Sequence, residues 1–572
     1  MAIKISDLPI GPGPPFQGDE IAALVDTGGT SQAALSSITT YLSGALGIAS
    51  PDKNNHFSTT QSIGGDLSAT GCLTVGTGQT NTGTFGSVAG GCNNSNTSDY
   101  GVIGGGCTNT ISDDTNVLVG GCNNSMDGTV GFIGGGQNQF IDGSAFVVAV
   151  GGCRNTAEDD DAVIVGGRTN TASGSASFVG GGLRGYAKDD YSTVVNGSNL
   201  SACGIFTFVG GGWDNYISCA GCGDGFSTIV GGQSSRIGDG NTAVKHSFIG
   251  GGHCNTVFGL SSFIGGGGSN TTGVAQGAAV VGGGDNQATA NYTFVGGGAQ
   301  NCASGLNTAV AGGVGNAATG ACVFIGGGKS NTANACEIVI GGGKENCASA
   351  AATAIVGGFG NQAQSTCAFI GGGQSNIAAG VISTIGGGCA NRASGACSFV
   401  GGGESNCAYD TYATVGGGKS NCACGANTTV GGGQGNEANA GSTIAGGNNN
   451  GACCLENATV VGGRENGAWG EYSFVGAGQC NEAHGDCSNI SGGCKNCING
   501  TDTDLSMILG GENNCIKDNH RSSAIIGSNI CTISSYMLHA HSLWLSAGAL
   551  PTSDPTVPGV VWNDSGTLKI SV

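Results

Sequence analysis

Charge is scarce in this chain: Asp, Glu, Lys and Arg together make up 9% of its 572 residues, against about a quarter in ordinary globular proteins. Aromatic residues reach only 6%, and Pro is nearly missing, with 8 residues. The few charges lean acidic, 37 Asp and Glu against 17 Lys and Arg, for a net charge of −20. A chain so poor in cations cannot neutralise a phosphate backbone, which excludes nucleic acid as an expected partner. No apolar run approaches the roughly 20 residues of a membrane span, so no membrane insertion is expected. Met1 to Gly11 holds one Lys and no stretch long enough for a signal-peptide core. Assembly in a cytoplasm is therefore expected, with the 27 Cys as thiols.

What is abundant is Gly, with 118 residues. It does not recur at every third position, which excludes a collagen-like helix. The 38% of hydrophobic residues recur in register with the Gly, which argues against disorder. The residue before each Gly pair or triplet falls at Val295, Ala311, Ile325, Ile340, Val356 and Ile370, and so on, at spacings of 14 to 16 residues over about thirty rungs. Segment 398 to 408, SFVGGGESNCA, carries most of the consensus. Short runs of Val, Ile, Phe and Thr predict strands. The Gly run supplies positive φ at one corner, and Asn with the later Gly suits a second. Such a unit buries its apolar face only by stacking on its neighbours. The fold class expected is all-β, a repetitive parallel β-roll or β-solenoid with rungs of about 15 residues, extending roughly 140 Å at about 4.8 Å per rung if coaxial.

The preceding column, Phe248, Phe263, Val280, Phe294, Val310, Phe324, Val339 and Ile355, is also apolar. Neighbouring strand residues point to opposite faces, so both faces read as buried. One fifteen-residue turn has a single inside, and a closed homo-oligomer, here a trimer, is expected to cover the other. A short helix is expected over 30–50, where Leu35, Ile38, Leu42 and Leu46 line one face and would form a brief coiled coil in a trimer.

The motif small-apolar-Val/Ile-Gly followed by Asn-x-Ala-x-Gly resembles the head repeat of trimeric autotransporter adhesins, the YadA-like β-roll. The resemblance spans about Val75 to Ile526, with an added Gly in most repeats. The opening Met1 to Leu8 and the closing stretch from Leu550 to Val572 are similar to termini of bacteriophage tail-fibre proteins. These resemblances imply a homotrimeric, non-enzymatic phage tail fibre that mediates host attachment from the virion after assembly in the host cytoplasm. Its implied partners are tail or baseplate proteins at the N-terminus and a host cell-surface receptor, a glycan being one class. A virion appendage without a receptor role, and a bacterial surface adhesin of the autotransporter type, remain the alternatives. The expected organisation is an attachment segment over 1–29, the helix over 30–50, a linker over 51–71, the shaft over 72–535 and a distal segment over 536–572.

His539 and His541 alternate within Met537-Leu-His-Ala-His-Ser-Leu-Trp-Leu. On a threefold axis three chains would offer six imidazole nitrogens, a cage suited to iron or another transition metal. Some phage fibres and spikes hold iron through a His-x-His motif similar to this one; the bland alternative is a solvated or stacked pair. The Cys recur by column, as at Cys302, Cys347 and Cys407, and read as small reduced core thiols. The GGGKSN segments at 326 to 331 and 416 to 421 lack the Gly that a phosphate loop needs five residues ahead of Gly-Lys. Departures from the repeat mark receptor-binding candidates, since loops on a rigid scaffold carry function. Those departures nominate Tyr216, Phe226, Lys245 and His246 beside the two longest insertions, and Trp544 and Trp562 in the distal segment.

Overall fold

The computed structural model describes residues 54–57, 72–143, 145–218, 225–240, 244–453, 456–500, 502–540, 551, 553, 556, 561–564 and 567–570. The expected attachment segment, the helix over 30–50 and most of the linker lie outside them. The chain falls into two compact units, Met1–Ala303 and Ser304–Val572. Each is a parallel β-solenoid with rungs of about fifteen residues.

In the first unit a rung holds two two-residue strands, as in Phe248–Ile249 and Thr256–Val257. Each pairs in parallel with its counterpart one rung on: Phe248 with Phe263, and Thr256 with Thr271. Single bridges such as His253 to Gly268 form a third column. The second unit repeats the plan. Its rung from Phe399 runs through the strand Phe399–Val400, a corner at Gly403 with φ of 90°, and a bridge from Glu404 to Lys419. A corner at Ser405 with φ of 57° then leads to the strand Cys407–Ala408 and a third corner at Tyr412, also at 57°. Only the first of these corners is made by Gly. At the other two a non-Gly residue is held left-handed by a backbone bond to the rung before, Ser405 N–H to Cys389 O and Tyr412 N–H to Ala396 O. The last described strands, Val561–Asp564 and Thr567–Ile570, form an antiparallel hairpin.

A two-residue strand presents one side chain inward and one outward. Val400 and Ala408 are fully buried, and their partners Phe399 and Cys407 face out. The core is thus a Val/Ile column from one sheet against an Ala column from the other. Each buried Val or Ile contributes roughly 1.5–3 kcal/mol, repeated at every rung. The inward position recurs at Val310, Ile325, Ile340, Ile355, Ile370 and Ile385 without any change in spacing.

That register corrects the alignment on the residue before Gly, which mixes two columns. Val280, Val310 and Ile355 point inward at 0% exposure, whereas Val281, Val356 and Val461 lie outside at 47%, 57% and 47%. Many rungs with two Gly carry an apolar residue where rungs with three carry the first Gly, so the apparent one-residue shifts between Val310 and Ile385 vanish, while rungs such as Val430 to Ile444 and Ile444 to Val460 do differ in length. The outward column is correspondingly mixed: Phe324, Val339, Ala354, Phe369, Thr384 and Phe399.

A second correction concerns Asn. It is not a turn residue at the rim but a buried rung of its own. Asn391 Nδ2 donates to Gly387 O and to Gly403 O of the next rung, both at 2.9 Å. Its Oδ1 accepts the backbone N–H of Asn406 at 3.0 Å. The same bonds recur from Asn316 to Asn514, a ladder of amides that satisfies the backbone at the Gly corner.

Candidate functional site

Function on such a scaffold lies in outward side chains, whose spacing the ladders fix. In the second sheet each rung presents two of them around a buried residue, as in Glu482-Ala483-His484, followed one rung on by Cys497-Ile498-Asn499. Glu482 pairs directly with Cys497 across the ladder. His484 follows Glu482 by two residues and so shares its face, with His484 Nε2 3.5 Å from Glu482 Oε2. The Glu482, His484 and Cys497 ligand atoms all lie within 4.8 Å of one another, a group able to hold a metal ion. Among the described residues no other set of three His, Cys, Asp or Glu meets that geometry.

The ladder beside this group has a notch. Gly451 and Gly467 occupy its outward positions, and the Trp469 indole folds over both. A Cβ on Gly451 would stand 2.9 Å from the ring, and one on Gly467 2.2 Å from Nε1. The indole stacks on the His484 imidazole with centroids 6.2 Å apart. A depression of about 260 Å³ opens here, lined by Glu437, Cys453, Glu465, Trp469 and Glu482 among others.

In the first unit the corner positions collect aromatic rings. Tyr191, Phe206, Phe226 and His246 stack in turn at 4.7, 5.0 and 5.2 Å, all at positive φ. The structure therefore brings Phe226 and His246 together, with Lys245 adjoining. Tyr216 lies elsewhere, on the second sheet, where the Arg236 guanidinium sits 5.8 Å over its ring. Tyr191 and Phe206 were not picked out from sequence, although the register of corners would have found them.

His539 extends the inward column of the first sheet, pairing with Ile525 as Ile525 pairs with Ile508. It is half-buried, with Nε2 3.3 Å from Ser534 O. His541 and Trp544 lie outside the described residues. Trp562 stands in the terminal hairpin in register with Lys569.

The expected core thiols are corrected. Cys302, Cys347 and Cys407 occupy outward positions and are partly exposed, and the buried neighbours are Ala303, Ala348 and Ala408. Cys407 does pair with Cys422 across the ladder, and Cys422 is joined to Cys424, two residues on, as a disulfide. Their environments differ. Cys92, Cys107 and Cys122 stack in one column. The Thr108 hydroxyl, 3.3 Å from Cys107 Sγ, with Cys92 and Cys122, holds the Cys107 pKa below its ordinary value. Burial first, then Glu482, Cys515 and Asp518, push Cys497 from 9.0 to about 12. Because the thiolate is the nucleophile, a raised pKa slows alkylation below that value. At pH 8 in EDTA, iodoacetamide is expected to modify Cys107 well ahead of Cys497, and Cys497 about a thousandfold more slowly than an ordinary thiol. Peptide mass spectrometry over a time course checks this; equal rates would refute it.

The class that fold and surface define is a repetitive parallel β-solenoid with its chemistry on outward ladders. In comparison with known proteins, the chain matches no protein-family model and no curated protein.

Proposed function

We propose that the chain is a structural, non-enzymatic phage tail fibre, a homotrimer whose shaft presents receptor-binding surfaces to a host cell. The observation that carries this reading is the outward column of the first sheet. In the second unit Phe324, Val339, Phe369 and Phe399 stand 45%, 47%, 38% and 41% exposed in one line. Apolar side chains recurring in one outward column, interrupted at Ala354 and Thr384, are the kind of surface that identical copies about a closed axis would cover. Three copies would bind a repeated cell-surface glycan by avidity, without any new contact. The stacked rings at Tyr191, Phe206, Phe226 and His246 present a row of ring edges, an apolar strip against which sugars would pack.

Light scattering on the native protein is expected to give three chains of 55.3 kDa. Phe369→Ser with Phe399→Ser is expected to lower that mass, because both side chains point away from each chain's own core. A monomeric mass for the unaltered protein would refute the trimer. Competition between purified protein and phage for adsorption then separates a receptor-binding fibre from an appendage without that role.

A further inference from the structure

We propose that Glu482, His484 and Cys497 form a site for one borderline divalent cation of the zinc class. The site is built by the fold and does not depend on the fibre reading. Strand pairing sets Glu482 against Cys497, and the two-residue period sets His484 on the same face. A backbone bond from His484 N–H to Ile498 O, at 3.0 Å, fixes the two rungs where the ligands meet. On the far side the Trp469 indole stacks on the imidazole and limits its rotation.

The donor set selects the ion. A thiolate, an imidazole and a carboxylate together suit zinc, whereas calcium and magnesium demand oxygen alone. Ligand atoms around a tetrahedral zinc stand about 3.3–3.7 Å apart. Here they lie within 4.8 Å of one another, with Glu482 Oε2 and His484 Nε2 already at 3.5 Å. Water would complete the fourth position on the solvent side.

Other rungs of the same ladder show what is missing elsewhere. Glu437 and Asn439 face Gly451 and Cys453 on the next rung, and Cys497 and Asn499 face Cys515 and Lys517. Each combination lacks the imidazole.

The test uses the full chain, reduced with a phosphine and stripped with EDTA, then titrated with Co(II). One equivalent is expected to produce a thiolate-to-cobalt charge-transfer band and visible d–d bands, and zinc is expected to abolish both. His484→Ala keeps all 27 Cys, so other thiols binding cobalt would still report in it. It is expected to weaken the band's midpoint at least tenfold, and Cys497→Ser is expected to remove the charge-transfer component. Their inward neighbours Ala483 and Ile498 remain, so circular dichroism should not change; Glu482→Gln serves as the further variant should one misfold. Trp469 offers an independent readout, since cobalt at this site should quench its emission in the unaltered chain and not in His484→Ala. Absence of a band in the unaltered protein, or an equal band and equal quenching in His484→Ala, would overturn the assignment.

Discussion

Gly358→Ala is expected to break the solenoid across several rungs, whereas Gly357→Ala, one residue earlier, leaves it intact. Gly358 turns the Gly corner at φ of 96°, and a Cβ there would stand 2.0 Å from Gly373 O and 2.6 Å from Asn361 Nδ2. The first of these is backbone of the next rung, held by the Phe359 N–H at 2.9 Å, and has no side-chain freedom with which to retreat. Left-handed backbone alone costs a non-Gly residue roughly 1–2 kcal/mol. Forcing the rungs apart and losing their bonds raises the total to about 4 kcal/mol, in the range reserved for identifiable structural lesions. Gly357 has nothing within 4 Å of its would-be Cβ and no positive φ. Alanine there removes freedom from the unfolded chain and is neutral or stabilising by about 0.5 kcal/mol. Stability in stacked repeats is local, so a single melting temperature is a poor witness. Hydrogen exchange of peptides covering 340–375 is the appropriate measurement. Gly358→Ala should abolish protection there and Gly357→Ala should preserve it. Equal protection in the two variants would show that the close approach of rungs does not govern the corner.

The contrast between those two Gly marks the limit of what the sequence discloses. Repetition made the parallel stack and the rung length legible, because Ile325, Ile340, Ile370 and Ile385 recur in a frame that only stacked strands satisfy. The frame itself slipped by one residue wherever a rung has two Gly, as at Val356, because aligning on Gly treats an outward apolar residue as a core one. Asn was misassigned for a related reason. It favours turns in isolated chains, and only the folded rung places Asn391 Nδ2 between Gly387 O, four residues back, and Gly403 O, twelve ahead. A second corner was expected at Asn with the later Gly, but the residues that make the other two corners were not legible, since Ser405 and Tyr412 take φ of 57° through ladder bonds and not through any residue preference. The candidate site followed the same pattern. His539 and His541 were conspicuous because they are close in sequence. Glu482, His484 and Cys497 were not, because Cys497 meets the other two only through the rung spacing. The signal was present as Glu-x-His with Cys fifteen residues after the Glu, readable once the outward register is known.

Asn361→Leu is expected to be the most damaging of the near-isosteric changes in the second unit. The side chain is fully buried, and its Nδ2 donates to Gly357 O, to Gly373 O and to Asn346 Oδ1 at 2.9, 2.9 and 3.1 Å. Its Oδ1 accepts both N–H and Nδ2 of Asn376 at 3.0 and 3.1 Å. Leucine keeps the branched shape with bulkier methyl groups in place of O and NH2, and removes every one of these bonds. Gly373 O keeps the Phe359 N–H, but the Asn376 N–H loses its partner inside the core. A buried unpaired donor costs about 1–3 kcal/mol, and the lost amide bonds to Gly357 O and Asn346 add to it, for a total of roughly 3–5 kcal/mol. The first unit shows where such a loss is absorbed. Gly185 and Leu200 stand at ladder positions there, paired with each other, within strands that lengthen to Leu183–Ala187 and Ser198–Ala202. Gly185 leaves room for its neighbour, and backbone pairing replaces the amide bonds. Asn361 has Asn346 and Asn376 on either side, so no such adjustment is open to it. Hydrogen exchange should show protection lost from about 345 to 380, and chemical denaturation monitored there should shift by the stated amount. Unchanged protection would mean that the Val/Ile and Ala columns alone hold the rungs in register, and that the Asn ladder is a consequence of the stack and not a cause of it.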